Sequence, residues 1–408
     1  MFATPVPRRR VLVGAAAGAL LLAVAAVGIR TMDADSPSPA GATASHASPQ
    51  TVAPGSSTGP TRDPANRRTV RLVAAGDVLI HPAVTEQARR DAARAGGMDF
   101  APMFAGVAPA VRGADLALCH LETPLADPAG PFAGYPSFNA PPQVLDGLRT
   151  TGFDGCSTAS NHTLDQGADG VARTIRALDA AGLGHTGSAR SAAEAARPRI
   201  YQVGDVRVAH LAYSLNFNGL TRPPGQPWLA NLIDPPKILA AAHKARAAGA
   251  DIVVLSLHWG TEYQHLPDAD QRAWAEQLIS SPDVDLILGH HAHAVQPFQR
   301  FGDKWVVFGM GNELARHEEP INDNREGVMA RATFTETAPG RWTVTRMEAL
   351  PTWTDLTPAL RLVDLTTALA DPGTPPKLRG DYRAAYQRVL GYVRALGAGA
   401  NQVVASGG

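Results

Sequence analysis

The feature that most constrains this 408-residue chain is a repeated junction. A short apolar, β-branched run stops at a side chain able to bind a metal or carry a proton. Residues 69–75 run into Gly76-Asp77, and residues 114–121 run into Glu122. Residues 153–158 precede Ser160-Asn161-His162, residues 251–257 stop at His258, and residues 284–288 lead into Gly289-His290-His291-Ala292-His293. Such runs read as strands, as do residues 206–212 and 305–308. Between them lie stretches with apolar residues three and four apart, at 83–95, 168–181, 236–248 and 269–281. Strands alternating with helices predict an α/β fold with a sheet of largely parallel strands. In such sheets ligands bind outside the carboxyl ends of the strands. The junctions therefore aim nitrogen and oxygen donors at one sheet edge.

The donors are Asp77, Glu122, Asn161, His258, His291 and His293. Carboxylate, amide and imidazole without thiolate suit two divalent transition metals, Mn, Fe or Zn, over a structural thiolate zinc. Six donors exceed one tetrahedral site and fit two cations ~3.5–4 Å apart that share a ligand and clamp a phosphoryl group. In extended chain, residues two apart face the same side, so His291 and His293 point together and His290 points away, into a supporting role. His162 is the candidate proton donor, and Asp165, three residues on, is placed to hold its other ring nitrogen. Four of the donors also have an ordinary reading: Asp77 as a helix cap, Glu122 as a loop acid, Asn161 with His162 as a capping turn, His258 as a core histidine. Their convergence on one edge favours the metal reading. His81 is a weaker candidate, four residues after Asp77. His120, His185 and Asn312 lie near the edge without a direct role, and His46, His210, His243 and His317 have no supporting context.

Absences narrow the chemistry. The chain lacks the G-x-S-x-G elbow, the phosphate-binding G-x-x-x-x-G-K-[ST] loop and H-E-x-x-H, and Gly309-Met310-Gly311-Asn312 lacks the third glycine of a dinucleotide loop. Lysine plus arginine and aspartate plus glutamate both number 37, so no basic field points to nucleic acid. Cys119 and Cys156 are too few for a disulfide scaffold and read as buried thiols in apolar runs. A single bridge between neighbouring strands is the alternative in an oxidising compartment.

Residues 1–30 stand apart. Arg8, Arg9 and Arg10 precede an uncharged run from Val11 to Ile29, the pattern of a membrane anchor or a secretory signal, and either places the rest outside the cytoplasm. Residues 31–68, dense in Ser, Pro, Ala, Gly and Thr, read as a flexible tether. The domain is expected over 69–355. Residues 356–408 carry Ala, Leu and Arg at helical spacing and read as a helical tail, packed on the domain or trailing it.

Gly-Asp at 76–77, Leu-Glu-Thr-Pro at 121–124, Asn-His-Thr-Leu-Asp at 161–165, His-Trp-Gly at 258–260, His-Ala-His-Ala-Val-Gln-Pro at 291–297 and Gly-Asn at 311–312 together resemble the capsule-synthesis CapA (poly-γ-glutamate) family. That family is similar to the calcineurin-like metallophosphoesterases. The resemblance covers about Val70 to Thr352 and implies a four-layer α/β/β/α sandwich. It implies Asp77 and His293 on a first metal, Asn161, His258 and His291 on a second, Glu122 bridging, and His162 as acid. The chain departs from the broader phosphoesterase pattern at Leu79, where that pattern has a histidine, and at Glu122, where it has aspartate. The first metal seat is then the weaker one unless His81 compensates. His120 and Ser160 stand where CapA sequences usually have Asn.

The resemblance implies a cell-envelope protein that makes or processes capsule or poly-γ-glutamate, acting as a two-metal hydrolase. A phosphodiesterase or phosphatase is the alternative enzyme, and a non-catalytic polymer-binding export component is the alternative outside enzymes. Expected partners are an anionic polymer or phosphoester, the membrane through the N-terminal segment, and other capsule-synthesis membrane proteins.

Overall fold

The chain builds one sheet, leaves it to build another, and returns. In the computed structural model, residues 61–62, 67–94, 96–317, 321–399 and 403–405 are described. The apolar segment 1–30, His46 and most of the tether lie outside them. The tether's last residues do not behave as a linker, because β1 (Thr61–Arg62) pairs with β2 (Arg68–Val78). The first sheet continues with β3 (Leu116–Leu121), β4 (Gly155–Ser157) and β5 (Gly184–Thr186), all parallel to β2.

The second sheet follows: β6 (Arg199–Val203), β7 (Val206–Ser214), β8 (Ile252–His258), β9 (Leu286–His290), β10 (Phe298–Phe301) and β11 (Lys304–Val307). Their spatial order is β10-β11-β9-β8-β7-β6, with a parallel centre and an antiparallel strand at each edge. The chain then returns to the first sheet with β12 (Asn312–Leu314), β13 (Glu326–Ala338), β14 (Arg341–Asp355), β15 (Arg361–Asp364) and β16 (Val403–Ala405).

Every predicted strand and helix is present, but the first sheet is mixed rather than largely parallel. Strands β13, β14 and β15 form an antiparallel half, and β13 pairs with β2. The two long strands β13 and β14 need no crossover, because Pro339-Gly340 turns the chain in place and Gly340 adopts φ 71°. The C-terminal segment is helical as expected, with helices Leu365–Ala370 and Pro376–Val393. It also adds β15 and β16 to β14, so it completes the sheet rather than trailing it.

Strand alternation builds the layers. Val70, Leu72 and Ala74 of β2 face a core shared with Val208, Val254 and Leu286 of the second sheet. Val73 and Ala75 face the other way, onto Val84 and Ala88 of helix Pro82–Asp91 and Val144 and Leu148 of helix Val144–Thr151. The second sheet likewise turns Val253, Leu255 and Ile287 toward Ile238 and Ala242 of helix Pro235–Ala247 and Leu278 of helix Ala269–Ile279. The result is a helix–sheet–sheet–helix sandwich. Strands buried on both faces explain the near-continuous apolar runs.

Cys119 and Cys156 are not free thiols. They form a disulfide with a Cα–Cα distance of 4.4 Å. The physical reason is register: Cys119 lies directly opposite Cys156 in the β3–β4 ladder, which brings their Cβ atoms within bridging reach.

Candidate metal centre

The site forms where the carboxyl ends of β2, β3, β4, β8 and β9 meet. Close backbone approach sets it up. A Cβ on Gly76 would meet the Gly311 carbonyl at 2.3 Å, and a Cβ on Gly289 would meet the Phe308 carbonyl at 1.8 Å. Glycine at these two positions lets β2 and β9 deliver the residues that follow. The Asp77 N–H donates to the Gly311 carbonyl at 2.9 Å, and Asn312 pairs with Asp77 across the ladder. His258 is fixed from behind by Trp259, which is fully buried and donates its indole N–H to the Phe308 carbonyl at 2.9 Å.

Two donor groups that share Glu122 result, beside a third in which Asp77 meets His120 and His290. Ligand atoms of Asp77, Glu122 and His293 lie within 4.8 Å of one another, as do those of Glu122, His258 and His291. Glu122 Oε1 is 3.6 Å from His293 Nε2 and 3.9 Å from His258 Nε2. Asn161 Oδ1 is 3.0 Å from His258 Nε2 and so joins the second group. All six predicted donors converge and all are buried.

The convergence of His291 and His293 has a different cause from the predicted one. They are not in extended chain, where alternation would align them. Both adopt left-handed backbone, with φ 87° and 49°, a strained conformation for non-glycine residues that surrounding contacts must hold. The His291 N–H donates to Asp77 Oδ2 at 3.0 Å, which pins the turn.

The residues fit metal ions. Both Glu122 oxygens are buried without a hydrogen-bond donor, as is His291 Nδ1. A buried carboxylate with no donor and three imidazoles beside it is the arrangement a cation satisfies. Burial pushes the Glu122 carboxyl up to about 7, against the pull of His293. Burial would lower His293, but Glu122 and Asp77 together raise it to about 10. Burial holds His291 down at about 4 and His258 well below the imidazole range, so both stay neutral as ligation requires. Burial would raise Asp77, but hydrogen bonds with His290 and His293 outweigh it and keep the carboxylate ionised.

The supporting shell is only partly legible in the sequence. His290, expected in a supporting role, places Nδ1 3.1 Å from Asp77 Oδ1. His120, expected to have no direct role, orients a donor: its Nε2 is 3.0 Å from His258 Nδ1 and its Nδ1 2.8 Å from Ser157 Oγ. Asn312 Oδ1 is 2.9 Å from His293 Nδ1. His317, without sequence context, stands with its ring 5.6 Å from that of His293 and 4.7 Å from that of His81. His81 does not compensate for Leu79. It packs on Phe138 and His317, accepts from the Arg316 N–H, and joins none of the donor groups. Leu79 is buried against Phe138 and Ala315. His210 bonds Ser256, His243 pairs with Asp283 at the surface, and His185 lies in a separate cluster.

His162 and Asp165 form the expected pair. His162 Nδ1 is 2.8 Å from Asp165 Oδ2, and Asp165 also accepts the Phe138 N–H. The His162 ring stands edge-on to Phe138 at 4.7 Å. Ser160, in place of the usual Asn, donates to the Glu122 carbonyl at 2.6 Å and accepts the His162 N–H at 3.1 Å, so it ties the two motifs together.

Residues 71–316 match the family described as bacterial capsule synthesis protein PGA_cap, a stretch that holds all six donors. The chain belongs to this family. Among curated relatives, this PGA_cap protein is 30% identical over 178 residues to the capsule biosynthesis protein CapA of Bacillus anthracis, covering 43% of each chain. It is 26% identical over 203 residues to the PGA biosynthesis protein CapA of Bacillus subtilis, covering 49% of this chain and 52% of the relative. The matches thus span about half the length of these relatives. Among solved structures, it is similar to the 5′-nucleotidase precursor of Thermus thermophilus, at 15% identity and TM-score 0.44, covering 81% of this chain and 59% of the other. It is also similar to the calcineurin-like phosphoesterase YfkN of Bacillus subtilis, at 14% identity and TM-score 0.42, covering 80% and 99%.

Proposed function

We propose that this PGA_cap protein is a metal-dependent hydrolase whose primary chemistry is phosphoester cleavage, acting outside the cytoplasm. The observation that carries the reading is Glu122 shared between two buried donor groups. A pair of divalent cations held that way supplies Lewis-acid stabilisation to a phosphoryl group and lowers the pKa of water. Asp77, Glu122 and His293 would hold one cation, and Glu122, Asn161, His258 and His291 the other. Asp165 fixes Nδ1 of His162, which leaves Nε2 to give a proton to the leaving group. His120, His290 and Asn312 each hold a donor in orientation and so exclude alternative rotamers.

A second reading rests on the family: cleavage or transfer in a poly-γ-glutamate or capsule polymer, whose carboxylates would engage the same cations. The N-terminal segment would serve as signal or anchor. Among the described residues no helix is long and apolar enough to cross a membrane.

The test is to purify the protein, load it with Mn or Zn, measure metal per chain, and assay an aryl phosphodiester, an aryl phosphomonoester and poly-γ-glutamate beside His162→Ala. Turnover of a phosphoester, lost in His162→Ala, supports the first reading. Turnover of the polymer alone supports the second. Two bound metals with no turnover of any substrate would leave a polymer-binding export component and overturn both.

A further inference from the structure

We infer that the cavity between the edges of the two sheets binds a multivalent oxyanion, separately from the metal centre. The cavity measures about 660 Å³ and lies where β5 and the start of β6 approach each other. Arg190, Arg197, Arg199 and Arg207 line it, against two carboxylates, Asp179 and Glu194. The lining therefore carries two positive charges in excess, in a chain whose formal net charge is zero.

The partners decide the sign of the ligand. Asp179, His185 and Glu194 bring donor atoms within 4.8 Å of one another, which on its own suggests a cation. The Arg190 guanidinium already occupies that position, 2.8 Å from Asp179 and 2.5 Å from Glu194. A metal ion would have to displace a bidentate cation from both carboxylates. Arg190 with its two acids carries a net charge of −1, and Arg197, Arg199 and Arg207 supply the three positive charges that leave the excess of two. Arg199 spends one N–H on the His185 carbonyl and keeps the rest of its fork. Arg197 and Arg207 form no ion pair with any described residue, and guanidinium forks match carboxylate and phosphate oxygens.

The walls add neutral polar atoms. His185 is 5% exposed and its Nδ1 has no partner, while Nε2 faces Asp179 at 3.3 Å. The Ser188 hydroxyl lines the same cavity and bonds the Thr158 hydroxyl at 2.7 Å. The Thr158 carbonyl in turn accepts from Thr163, whose hydroxyl also receives the Ser160 N–H. The cavity wall is thus tied by hydrogen bonds to the loop that carries Asn161 and His162. A carboxylate- or phosphate-bearing chain seated here would lie against the back of that loop.

The experiment titrates the full chain by calorimetry with two probes, inorganic tripolyphosphate and a γ-linked glutamate oligomer, at low and high salt. The comparison is with the double variant Arg197→Ala/Arg207→Ala and with His293→Ala. The wild type binds at least one probe, more weakly at high salt. The double variant binds about tenfold or more weakly with unchanged metal content, as loss of two charge-assisted contacts requires. His293→Ala retains the binding while losing metal. Binding of tripolyphosphate alone identifies a phosphate-bearing ligand, and binding of the oligomer alone a carboxylate-bearing one. Wild-type affinity in the double variant, loss of binding in His293→Ala, or no binding of either probe at low salt would overturn the inference. None of these readouts depends on catalytic turnover, so the hydrolase reading can fail while this site stands.

Discussion

Glu122 and Glu313 are both fully buried, and no side chain donates a hydrogen bond to either carboxylate. Burial raises both, Glu122 to about 7 and Glu313 to about 8. Their surroundings differ. Glu122 stands within 4 Å of two imidazole nitrogens, on His293 and His258. Glu313 meets only the Gly76 N–H as an opposing influence, with the like charge of Asp364 nearby. A buried acid therefore marks a site only when other donors surround it. Glu313 sits next to Asn312 in the same short strand, so one residue of sequence separates a group that supports the metal centre from one that burdens the fold.

The largest effect expected is from Glu122→Ala. Because both donor groups share Glu122, this one change removes a ligand from each. Metal content should fall below half of the wild-type value by elemental analysis, with affinity down by more than the ~10–100-fold that loss of an outer-shell partner causes. Glu313→Gln should leave metal content unchanged. Metal loss of equal size in the Glu313 variant would break the comparison.

The second effect concerns pH. Glu313 has its folded carboxyl raised to about 8 from an ordinary value of 4.5. A group raised in the folded state stabilises fully below its unfolded value, and that contribution is lost as pH climbs from about 4.5 to about 8. A tenfold change in proton affinity is worth ~1.4 kcal/mol, so the full loss is on the order of a few kcal/mol. Urea unfolding of wild type against Glu313→Gln should show equal stability near pH 4 and a growing advantage for the variant up to pH ~8. Parallel curves across that range would show that Glu313 binds its proton equally in the folded and unfolded chain, and would overturn the raised value.

The disulfide adds a further difference between the two regions. Cys119 and Cys156 join β3 to β4, one residue before the His120–Ser157 contact that orients His258, whereas no such bridge holds the Glu313 strand. Cys119→Ala/Cys156→Ala should lower stability by ~2–4 kcal/mol in denaturant melts, as for removal of a disulfide closing a loop of this order. Metal affinity should fall less than stability does, since the strand ladder still sets the register. A variant as stable as wild type would mean that the ladder alone holds these strands.

Much of the site is legible because its donors follow apolar strands, and strand ends are visible in a single sequence. The six donors and the His162–Asp165 pair all lie at such junctions. The antiparallel half of the first sheet escapes such a reading for a reason of composition. Strands β13 and β14 alternate Thr, Arg and Glu with apolar residues, as in Thr343-Val344-Thr345, and a reading keyed to continuous apolar runs passes over a period of two. The role of His290 is legible but its partner is not, and His120 is hidden altogether, because these partners are remote in sequence. His120 meets His258 across 138 positions, and His290 meets Asp77 across 213. The turn at His291–His293 is not the expected extended chain, because left-handed backbone in histidine has no sequence signal comparable to glycine.

The smallest effect tests whether that supporting layer matters at all. The Ser157 hydroxyl touches no donor; it holds His120, and His120 holds His258. Ser157→Ala removes one hydrogen bond two steps from the cation seat. It should weaken binding at the seat formed by Glu122, Asn161, His258 and His291 by about tenfold, the lower end of outer-shell effects, and leave the seat of Asp77 and His293 unchanged. A stepwise metal titration would then separate two affinities that the wild type holds closer together. Ser157→Thr, which keeps the hydroxyl, should restore the wild-type profile. If both variants shift both seats equally, the hydroxyl acts through strand packing rather than through His120. The first and second donor groups would then respond as a single unit instead of two.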